Sequence, residues 1–280
     1  MRELKKIHPA VLGVYFVCVL GILMFLNNPV IILTSLFSGA LLIFLLKRFE
    51  LKSLVFSLVL LLLICISNPI VSHKGITPLF YFNSKPITFE SLIYGLFFAL
   101  MLIAVIVWCK ALNSVIGSDS FIYLFSKVLP KTALILKLSL RFIPLFKKQY
   151  HKTKNSVKVL GLYNGNKKIK SEIRVINSVI AFMVENSIET ARSMNARGYN
   201  NKNHSRYQIK KFELSDFCFL ALTVVLSVFT VVFKKEFYFY PKFSTINFSA
   251  CYITFFALSI IPALIILRGE LKWKFLISKI

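Results

Sequence analysis

A stretch of nine residues, from Ala191 to Tyr199, contains the side chains of this chain best suited to bind another protein. It includes Arg192 and Arg197, and the second arginine is followed by Gly198. Arginine presents a planar fork of N–H donors that can pair with a carboxylate through two hydrogen bonds, and glycine just past a helix end can adopt the left-handed backbone that turns the chain away. The pattern predicts a helix ending in an arginine that binds a soluble partner. The alternative from these residues alone is a simple helix cap, in which the helix dipole favours the arginine.

Patterns of catalytic and metal-binding chemistry are not found in the rest of the sequence. It contains no GxxxxGKS/T phosphate loop, no HExxH and no GxSxG, which are patterns of ATP-hydrolysing, zinc-dependent and serine-dependent sites. The five cysteines have no CxxC or Cys/His spacing, so they indicate neither a disulfide framework nor a metal site. We therefore expect no catalytic residue, no metal site and no cofactor. The cysteines are Cys18, Cys65, Cys109, Cys218 and Cys251.

The composition indicates that the chain is a membrane protein. The 280 residues are 57% apolar, with a mean hydropathy of +0.72, whereas soluble domains are usually about 45–50% apolar. A membrane-spanning helix needs about 20 predominantly apolar residues, and six segments are predicted to be spans. They are Ala10–Leu26, Val30–Leu46, Leu51–Val71, Leu92–Cys109, Phe217–Phe233 and Ile246–Leu267.

The predicted spans carry no charged residue near their centres. Such residues usually mark ion or substrate paths, so their absence counts against a proton-coupled carrier. In the second span, Ser35 and Gly39 have the small-xxx-small spacing that lets helices approach closely, which predicts internal packing. No cleavable signal peptide is expected, because Asn27-Asn28-Pro29 is a poor cleavage site and a second apolar run follows it.

The basic charge of the chain predicts its orientation. Of the 35 Lys and Arg residues, 30 fall on one side of the six-span arrangement, and cytoplasmic segments carry such an excess. Both termini and residues 110–211 are therefore expected in the cytoplasm. Residues 72–90 and 234–245 are expected outside, the first of them as a short hairpin. Because the membrane explains the charge, no nucleic-acid partner is expected.

Residues 110–211 contain no run that is long and apolar enough to span a membrane, and they predict two or three long, basic, amphipathic helices. Within them, Ala133–Phe146 carries Lys137 and Arg141 on one side and apolar residues on another. This pattern is typical of a helix that lies in the membrane interface or packs under the bundle.

The last part of this segment predicts a second long helix. Asn164-Gly165-Asn166 predicts a turn, and Ser171 predicts the N-terminal cap of a helix that runs to about Arg197. The predicted apolar stripe of that helix comprises Ile173, Ile176, Ile180, Met183, Ala191 and Met194.

The residues from Glu189 to Tyr199, which read ETARSMNARGY, resemble the hallmark of the transmembrane T component of energy-coupling factor (ECF) transporters. These are bacterial and archaeal importers of vitamins and transition-metal ions. The resemblance extends to Leu140-Arg141-Phe142-Ile143-Pro144, expected at the start of a long cytoplasmic helix, and to the helix starts His8-Pro9 and Asn28-Pro29. It therefore covers most of the chain.

In that family, two Ala-Arg-Gly motifs end two coupling helices, and each arginine docks into a groove of one of two ATPase subunits. The resemblance carries this role to Ala196-Arg197-Gly198, together with Arg192. Where the first motif is expected, this chain reads Val159-Leu160-Gly161, so the arginine is missing and Lys158 is the charge that precedes it. The residues that the resemblance assigns to the coupling helices themselves are Arg141, Pro144 and Glu189.

The expected fold is an all-α polytopic membrane protein with about six transmembrane helices plus cytoplasmic coupling helices. Residues 1–112 are predicted to hold four spans, residues 113–213 the coupling helices, and residues 214–280 two spans. The resemblance implies a non-catalytic subunit in a prokaryotic cell membrane. Its implied partners are two ATP-binding-cassette ATPase subunits, a small substrate-binding membrane protein (the S component) and the lipid bilayer.

Two other functions are alternatives from the sequence. A self-sufficient permease without ATPase partners would carry polar groups near the middle of the membrane, where this chain has only Ser, Thr and Cys. A membrane-bound enzyme acting on lipid would need acids and bases that the spans do not contain.

Overall fold

The structure is a computed structural model, and it describes residue 4 and residues 7–46, 51–71, 75, 77–82, 85–161, 168–199, 212–234, 237 and 249–277. Within these residues it contains nine α-helices and one β-hairpin. In chain order they are α1 (Pro9–Phe25), α2 (Pro29–Leu45), α3 (Leu51–Val71), β1 (Pro78–Phe82), β2 (Lys85–Thr88), α4 (Phe89–Val115), α5 (Ser118–Val128), α6 (Pro130–Val159), α7 (Lys168–Ala196), α8 (Leu214–Val232) and α9 (Ala250–Ile277). The chain forms two compact units, Met1–Ser120 with Lys210–Ile280, and Phe121–Ile209.

Four helices of the first unit, α3, α4, α8 and α9, are long and apolar enough to cross a membrane. The other two, α1 and α2, are apolar helices of 17 residues, which is the lower end of the range of about 17–25 that spans a bilayer. The chain is therefore an all-α polytopic membrane protein, and the predicted fold class is confirmed. The number of six spans stays a prediction, because α1 and α2 are short.

The predicted limits of the spans are close to those of the helices. The third span, Leu51–Val71, coincides with α3, and the helix continues through Pro69 to its end. The fourth was predicted too short, since α4 adds a full turn or more beyond Cys109. The predicted start of the last span, Ile246, lies outside the described residues, and α9 begins at Ala250.

The first two helices start where the His-Pro and Asn-Pro pairs predict. The Nδ1 atom of His8 accepts a hydrogen bond from the backbone N–H of Ala10 at 3.2 Å. Asn28 Oδ1 accepts the backbone N–H of Val30 at 3.1 Å. In each case the following proline occupies the first position of the helix, where its missing N–H costs nothing and its φ suits the helix.

The core of the first unit is built around Trp108 of α4, whose side chain is fully buried. Its indole Nε1–H donates to Ser35 Oγ of α2 at 2.9 Å. One turn further along α2, a Cβ on Gly39 would come within 2.7 Å of Val107 Cγ1 and 3.3 Å of Trp108 Nε1. The Ser35 and Gly39 pair therefore lets α4 approach α2 closely, which confirms that this small-residue pair serves internal packing.

A second buried contact supports the proline inside α9. Pro262 has no backbone N–H, so the carbonyl of Leu258, four residues earlier, has no helical donor. The hydroxyl of Tyr15, buried in α1, donates to this carbonyl at 3.1 Å. An unpaired backbone carbonyl in a bilayer costs roughly several kcal/mol. Tyr15 avoids this cost because its hydroxyl supplies the hydrogen bond that the proline removes.

Tyr15→Phe is therefore expected to lower the free energy of unfolding of the first unit by about 1–3 kcal/mol, because the Leu258 carbonyl is left without a donor. The measurement is thermal unfolding of the purified chain in detergent, with Tyr81→Phe at an exposed tyrosine as the control. In a Pro262→Ala background the same change is expected to cost less, since alanine there donates to the same carbonyl. Equal costs in both backgrounds would contradict this account.

The segment between α3 and α4 contains the predicted hairpin, in which β1 and β2 pair antiparallel. Thr88 then caps α4, with its Oγ1 accepting the backbone N–H of Ser91 at 3.4 Å. In the first turn of α4, the buried Glu90 carboxylate accepts the hydroxyl of Thr77 at 2.8 Å. The hairpin is thus attached to the start of α4 by side chains of both segments.

Candidate functional site

The predicted coupling residues lie in the second unit, on α6 and α7. These two helices pack through a small apolar cluster in which Val157 of α6 contacts Val175 and Val179 of α7, all three buried. Tyr150 and Met183 are partly buried against the cluster. Because β-branched valines have few rotamers to lose, this contact orders the two helices at a small cost in entropy.

A polar contact lies beside the valine cluster. The Glu172 carboxylate of α7 accepts the Tyr150 hydroxyl at 2.7 Å and forms an ion pair with Lys154. The Lys154 ammonium also donates to the Tyr150 hydroxyl at 3.2 Å and lies 5.4 Å from the centre of its ring. Three side chains from two helices therefore form one hydrogen-bonded group.

The raised pKa of Lys154 keeps its ammonium charged over the physiological pH range. The hydrogen bond to Glu172, and then the one to Tyr150, raise the pKa of Lys154 well above its usual value. A lysine with a raised pKa contributes stability that is fully present below its ordinary pKa of about 10.4 and is lost only as the pH rises through the raised value. The contact between α6 and α7 is therefore expected not to weaken as the pH rises to about 9.

The apolar stripe predicted for α7 is not the face that packs on α6. Ile173 and Ile180 are 52% and 49% exposed, whereas the buried positions follow an i, i+4 spacing through Ser171, Val175 and Val179. The predicted stripe is therefore a second apolar side of α7, distinct from the valine side that packs on α6. Only Met183 of the predicted stripe packs against the cluster.

Two further predictions about these helices are corrected. Ser171 does not cap α7, because the helix begins at Lys168 and Ser171 is buried inside it. The Leu140–Pro144 segment lies within α6 and not at the start of a helix, since α6 begins at Pro130 and continues through Pro144. A proline inside a helix costs about 3 kcal/mol, yet α6 continues through Pro144 to Val159. The predicted turn at residues 164–166 lies outside the described residues.

The end of α7 has the hydrogen bonds of a Schellman cap. Gly198 has a positive φ of 78°, and its N–H donates to the Asn195 carbonyl at 3.0 Å. The N–H of Tyr199 donates to the Met194 carbonyl at 3.2 Å. These are the two bonds that define the motif. They leave Arg197 at the last position before the glycine, where its side chain is exposed.

The end of α6 shares part of this backbone geometry but has a different side chain. Gly161 has a φ of 69°, and its N–H donates to the Lys158 carbonyl at 3.0 Å, as Gly198 does to the carbonyl three residues before it. Leu160 therefore occupies the position that Arg197 occupies on α7. Leu160 is 68% exposed and Val159 is 88% exposed.

The other predicted site residues are also at the surface of their helices. Within the described part of the chain, none of them has a side-chain hydrogen bond or an ion pair that would occupy it in a structural role. The charges of Arg141, Glu189 and Arg192 are therefore available to a partner. The exposed members of this set are Arg141 and Pro144 of α6, and Glu189, Arg192 and Ala196 of α7.

The two helix ends are well separated. Glu172, where α6 contacts α7, lies 24 residues before Ala196, which corresponds to about 36 Å of helix. On α6, Leu160 lies only six residues beyond Lys154, or about 9 Å. The two caps are therefore roughly 20 Å or more apart, so each would contact its own patch on a partner.

Sequence reasoning missed the contacts that join α6 to α7. The signal for the valine cluster was present as the i, i+4 spacing of Ser171, Val175, Val179 and Met183, but the isoleucine spacing was equally regular. The group formed by Tyr150, Lys154 and Glu172 had no local signal, because its members come from different helices.

The described residues contain no group of three or more His, Cys, Asp or Glu that could hold a metal ion. In comparisons with known proteins, the sequence model of a family described as "CbiQ: Cobalt transport protein" matches residues 3–208. No curated protein matches the chain.

Proposed function

Because the chain belongs to the CbiQ family of cobalt transport proteins, we propose that it is the transmembrane energy-coupling subunit of an ECF-type ABC importer. In this role it links two ATPase subunits to a separate substrate-binding membrane subunit, for uptake of a vitamin or a transition-metal ion. Family membership makes it a component of membrane transport and bears out the resemblance of the ETARSMNARGY and LRFIP segments. The coupling role and the partners are the proposal.

The observation that carries the proposal is the end of α7. A helix of 29 residues ends in a Schellman cap that holds Arg197 exposed beside a turn. A cap alone would not need arginine, since the backbone bonds of Gly198 and Tyr199 already satisfy the helix end. An exposed arginine fork on a fixed backbone is suited to bidentate pairing with a carboxylate of a partner.

The contact between α6 and α7 supports transmission of movement. The buried valines and the ion pair between Lys154 and Glu172 join the helices near the start of α7. A displacement of either cap by an ATPase subunit would then be carried along a packed pair of helices, because close-packed contacts transmit strain. The ATPase subunits supply the nucleotide chemistry, and this chain is not catalytic.

The proposed location is a prokaryotic cell membrane, with both termini and the second unit in the cytoplasm. The support is the distribution of charge, with 30 of 35 basic residues on that side. ATPase subunits are soluble proteins of the cytoplasm, so the two caps are proposed to lie on the side where such partners are found.

A self-sufficient permease is the second candidate, since the buried ends and middles of α8 and α9 contain hydroxyl groups. Each of these hydroxyls donates its proton to a carbonyl of its own helix, as Thr223 does to Leu220 at 2.8 Å. Such bonds satisfy the hydroxyl locally and do not direct its proton toward a substrate. The other examples are Ser227, Thr230 and Ser259.

The proposal predicts that the tagged chain, purified from its own membrane in mild detergent, brings with it ATPase subunits and a small membrane protein. The assembly is expected to hydrolyse ATP, whereas the chain stripped of its partners is not. The measurement is the ATPase rate of both preparations per mole of chain, with the polypeptides identified by mass spectrometry.

Two results would contradict the proposal. A chain that is purified without an ATPase and transports substrate alone in proteoliposomes would support the permease. A stripped chain that hydrolyses ATP at the rate of the assembly would show that this subunit is itself an ATPase.

A further inference from the structure

Helix α5 carries large apolar side chains along one exposed side. Phe121, Phe125 and Val128 recur at i, i+4 and i+7, which places them on one face of the helix. They are 52%, 45% and 78% exposed, whereas Ile122, on another side, is buried. The two phenylalanine rings contact each other, with their centroids 4.9 Å apart. The three residues therefore form one continuous apolar surface, called the α5 face below.

We propose that the α5 face lies in the surface of the lipid bilayer, with its side chains at the boundary between the headgroups and the acyl chains, and that it prefers anionic lipid. Helix α5 is then an interfacial anchor that holds the start of the second unit at the membrane. The partner in this inference is a lipid surface, so the inference does not depend on the ATPase subunits of the proposed function.

The chain connection sets the height of α5 relative to the membrane. Only Ile116 and Gly117 separate α4 from α5, so the first residue of α5 lies within about 11 Å of the last residue of α4. Helix α4 is long and apolar enough to cross a membrane. Its 27 residues extend over about 40 Å, close to the thickness of a bilayer with its headgroups, about 40–45 Å. The end of α4 and the start of α5 therefore lie in a headgroup layer.

The residues of the α5 face suit that layer. An amphipathic helix that lies in the membrane interface buries its apolar side about 5–10 Å into the boundary between headgroups and acyl chains. Phe121, Phe125 and Val128 are the apolar side of α5 that is left exposed. Insertion removes this apolar area from water, which is favourable, and it requires no movement of the buried Ile122 side.

The charge around the α5 face complements anionic lipid and disfavours a second copy of the chain. From residue 110 to residue 137 the sequence contains four lysines and one acidic residue, Asp119. Lys131, in the first turn of α6, is exposed, and lysines close to a membrane surface are attracted to anionic headgroups. A second copy docked on this face would bring like charges together, which is unfavourable. The four lysines are Lys110, Lys127, Lys131 and Lys137.

The test is spin labelling of the full chain in nanodiscs made of equal parts of phosphatidylcholine and phosphatidylglycerol. A nitroxide is attached to a single cysteine at position 121 or 125, with the native cysteines replaced by alanine. The matched control is a label at Ser126, which points to a different side of α5. Labels at 121 and 125 are expected to be more accessible to oxygen, which concentrates among acyl chains, and better shielded from a water-soluble nickel chelate than the label at 126. Both phenylalanines are exposed, so labelling there is compatible with folding.

Two results would overturn the inference. If the nickel chelate reaches positions 121 and 125 as readily as position 126, the α5 face lies in water. If labels at 121 and 125 are immobilised and shielded from both reagents, a protein covers the face and lipid does not.

A substitution within the face gives an independent result. With the label at 121, Phe125→Ser is expected to increase access of the nickel chelate, because the change removes one of the two aromatic rings that insert. Phe125→Leu keeps an apolar side chain and is expected to retain the shielding. Unchanged shielding of position 121 in Phe125→Ser would show that insertion of this face does not hold α5 at the membrane.

The preference for anionic lipid is tested at Lys131. With the label at 125, Lys131→Gln is expected to lower the ratio of inserted to water-exposed label by about fivefold, the factor that one basic residue contributes near an anionic surface. In nanodiscs of phosphatidylcholine alone the same change is expected to have no effect. The same result in both lipids would overturn the anionic preference.

Discussion

Arg197→Ala is expected to release the ATPase subunit that binds the end of α7 and to abolish substrate uptake. The exposed guanidinium of Arg197 is held at a capped helix end and, in the proposed complex, it pairs with a carboxylate inside a groove. Removing one member of such a buried pair costs about 2–5 kcal/mol, because the other charge is left desolvated and unpaired. The measurement is retention of ATPase subunits on the tagged chain, together with uptake, at equal expression in the membrane.

Three variants serve as controls for this result. Arg197→Lys is expected to restore binding only in part, because an ammonium lacks the planar fork. Arg174→Ala removes an exposed arginine of the same helix away from the cap and is expected to have no effect. Leu160→Ala is expected to cost less than Arg197→Ala, since no charge is left unpaired. If Arg197→Ala retains both ATPase subunits and full uptake, the residue is only a helix cap.

Trp108→Ala is expected to lower the free energy of unfolding of the first unit by about 3–5 kcal/mol, the range for removing a large aromatic from a core. The indole is fully buried between α2 and α4, and its loss also leaves the Ser35 hydroxyl without its donor. The measurement is the thermal unfolding midpoint in detergent, and uptake is expected to fall with the amount of folded protein.

Two comparisons separate packing from hydrogen bonding at this position. Trp108→Phe keeps most of the aromatic volume and is expected to lose less than the alanine variant. Leu62→Ala removes a side chain that is 51% exposed on α3 and is expected to have a small effect in detergent. A Trp108→Ala protein as stable as the Leu62→Ala protein would rule out the packing described for α2 and α4.

Much of the first unit could be predicted from the sequence, because the bilayer imposes simple requirements. Apolar length predicted α3 to the residue and the other long helices to within a few turns. The His8-Pro9 and Asn28-Pro29 pairs predicted the starts of α1 and α2, since a side-chain cap followed by proline has few other uses. The hydrogen bond from Tyr15 to the carbonyl freed by Pro262 joins residues far apart in sequence and had no local signal.

The second unit was harder to predict, because its helices are apolar on more than one side. On α7 the isoleucines and the valines both recur at helical spacing, and only the contact with α6 distinguishes them. The family resemblance implied that the Leu140–Pro144 segment begins a helix, but α6 had already begun at Pro130.

The family resemblance assigned the candidate docking residues, and their docking role stays a prediction. Glycine at 161 and at 198 predicted two helix ends, and both adopt the expected left-handed conformation. The sequence also showed that leucine replaces arginine at the first end. That Leu160 and Arg197 each precede a glycine of positive φ whose N–H donates to the carbonyl three residues earlier is seen only in the structure.

The most direct test of the central claim, that this chain is a scaffold between ATPases and a substrate-binding subunit, is the mass of the intact assembly. Native mass spectrometry of the complex purified through this chain is expected to give one copy of the 32.1 kDa chain, two ATPase subunits and one small membrane protein. Arg197→Ala is expected to shift that mass down by one ATPase subunit. A mass equal to the chain alone, or to an oligomer of this chain only, would contradict the account.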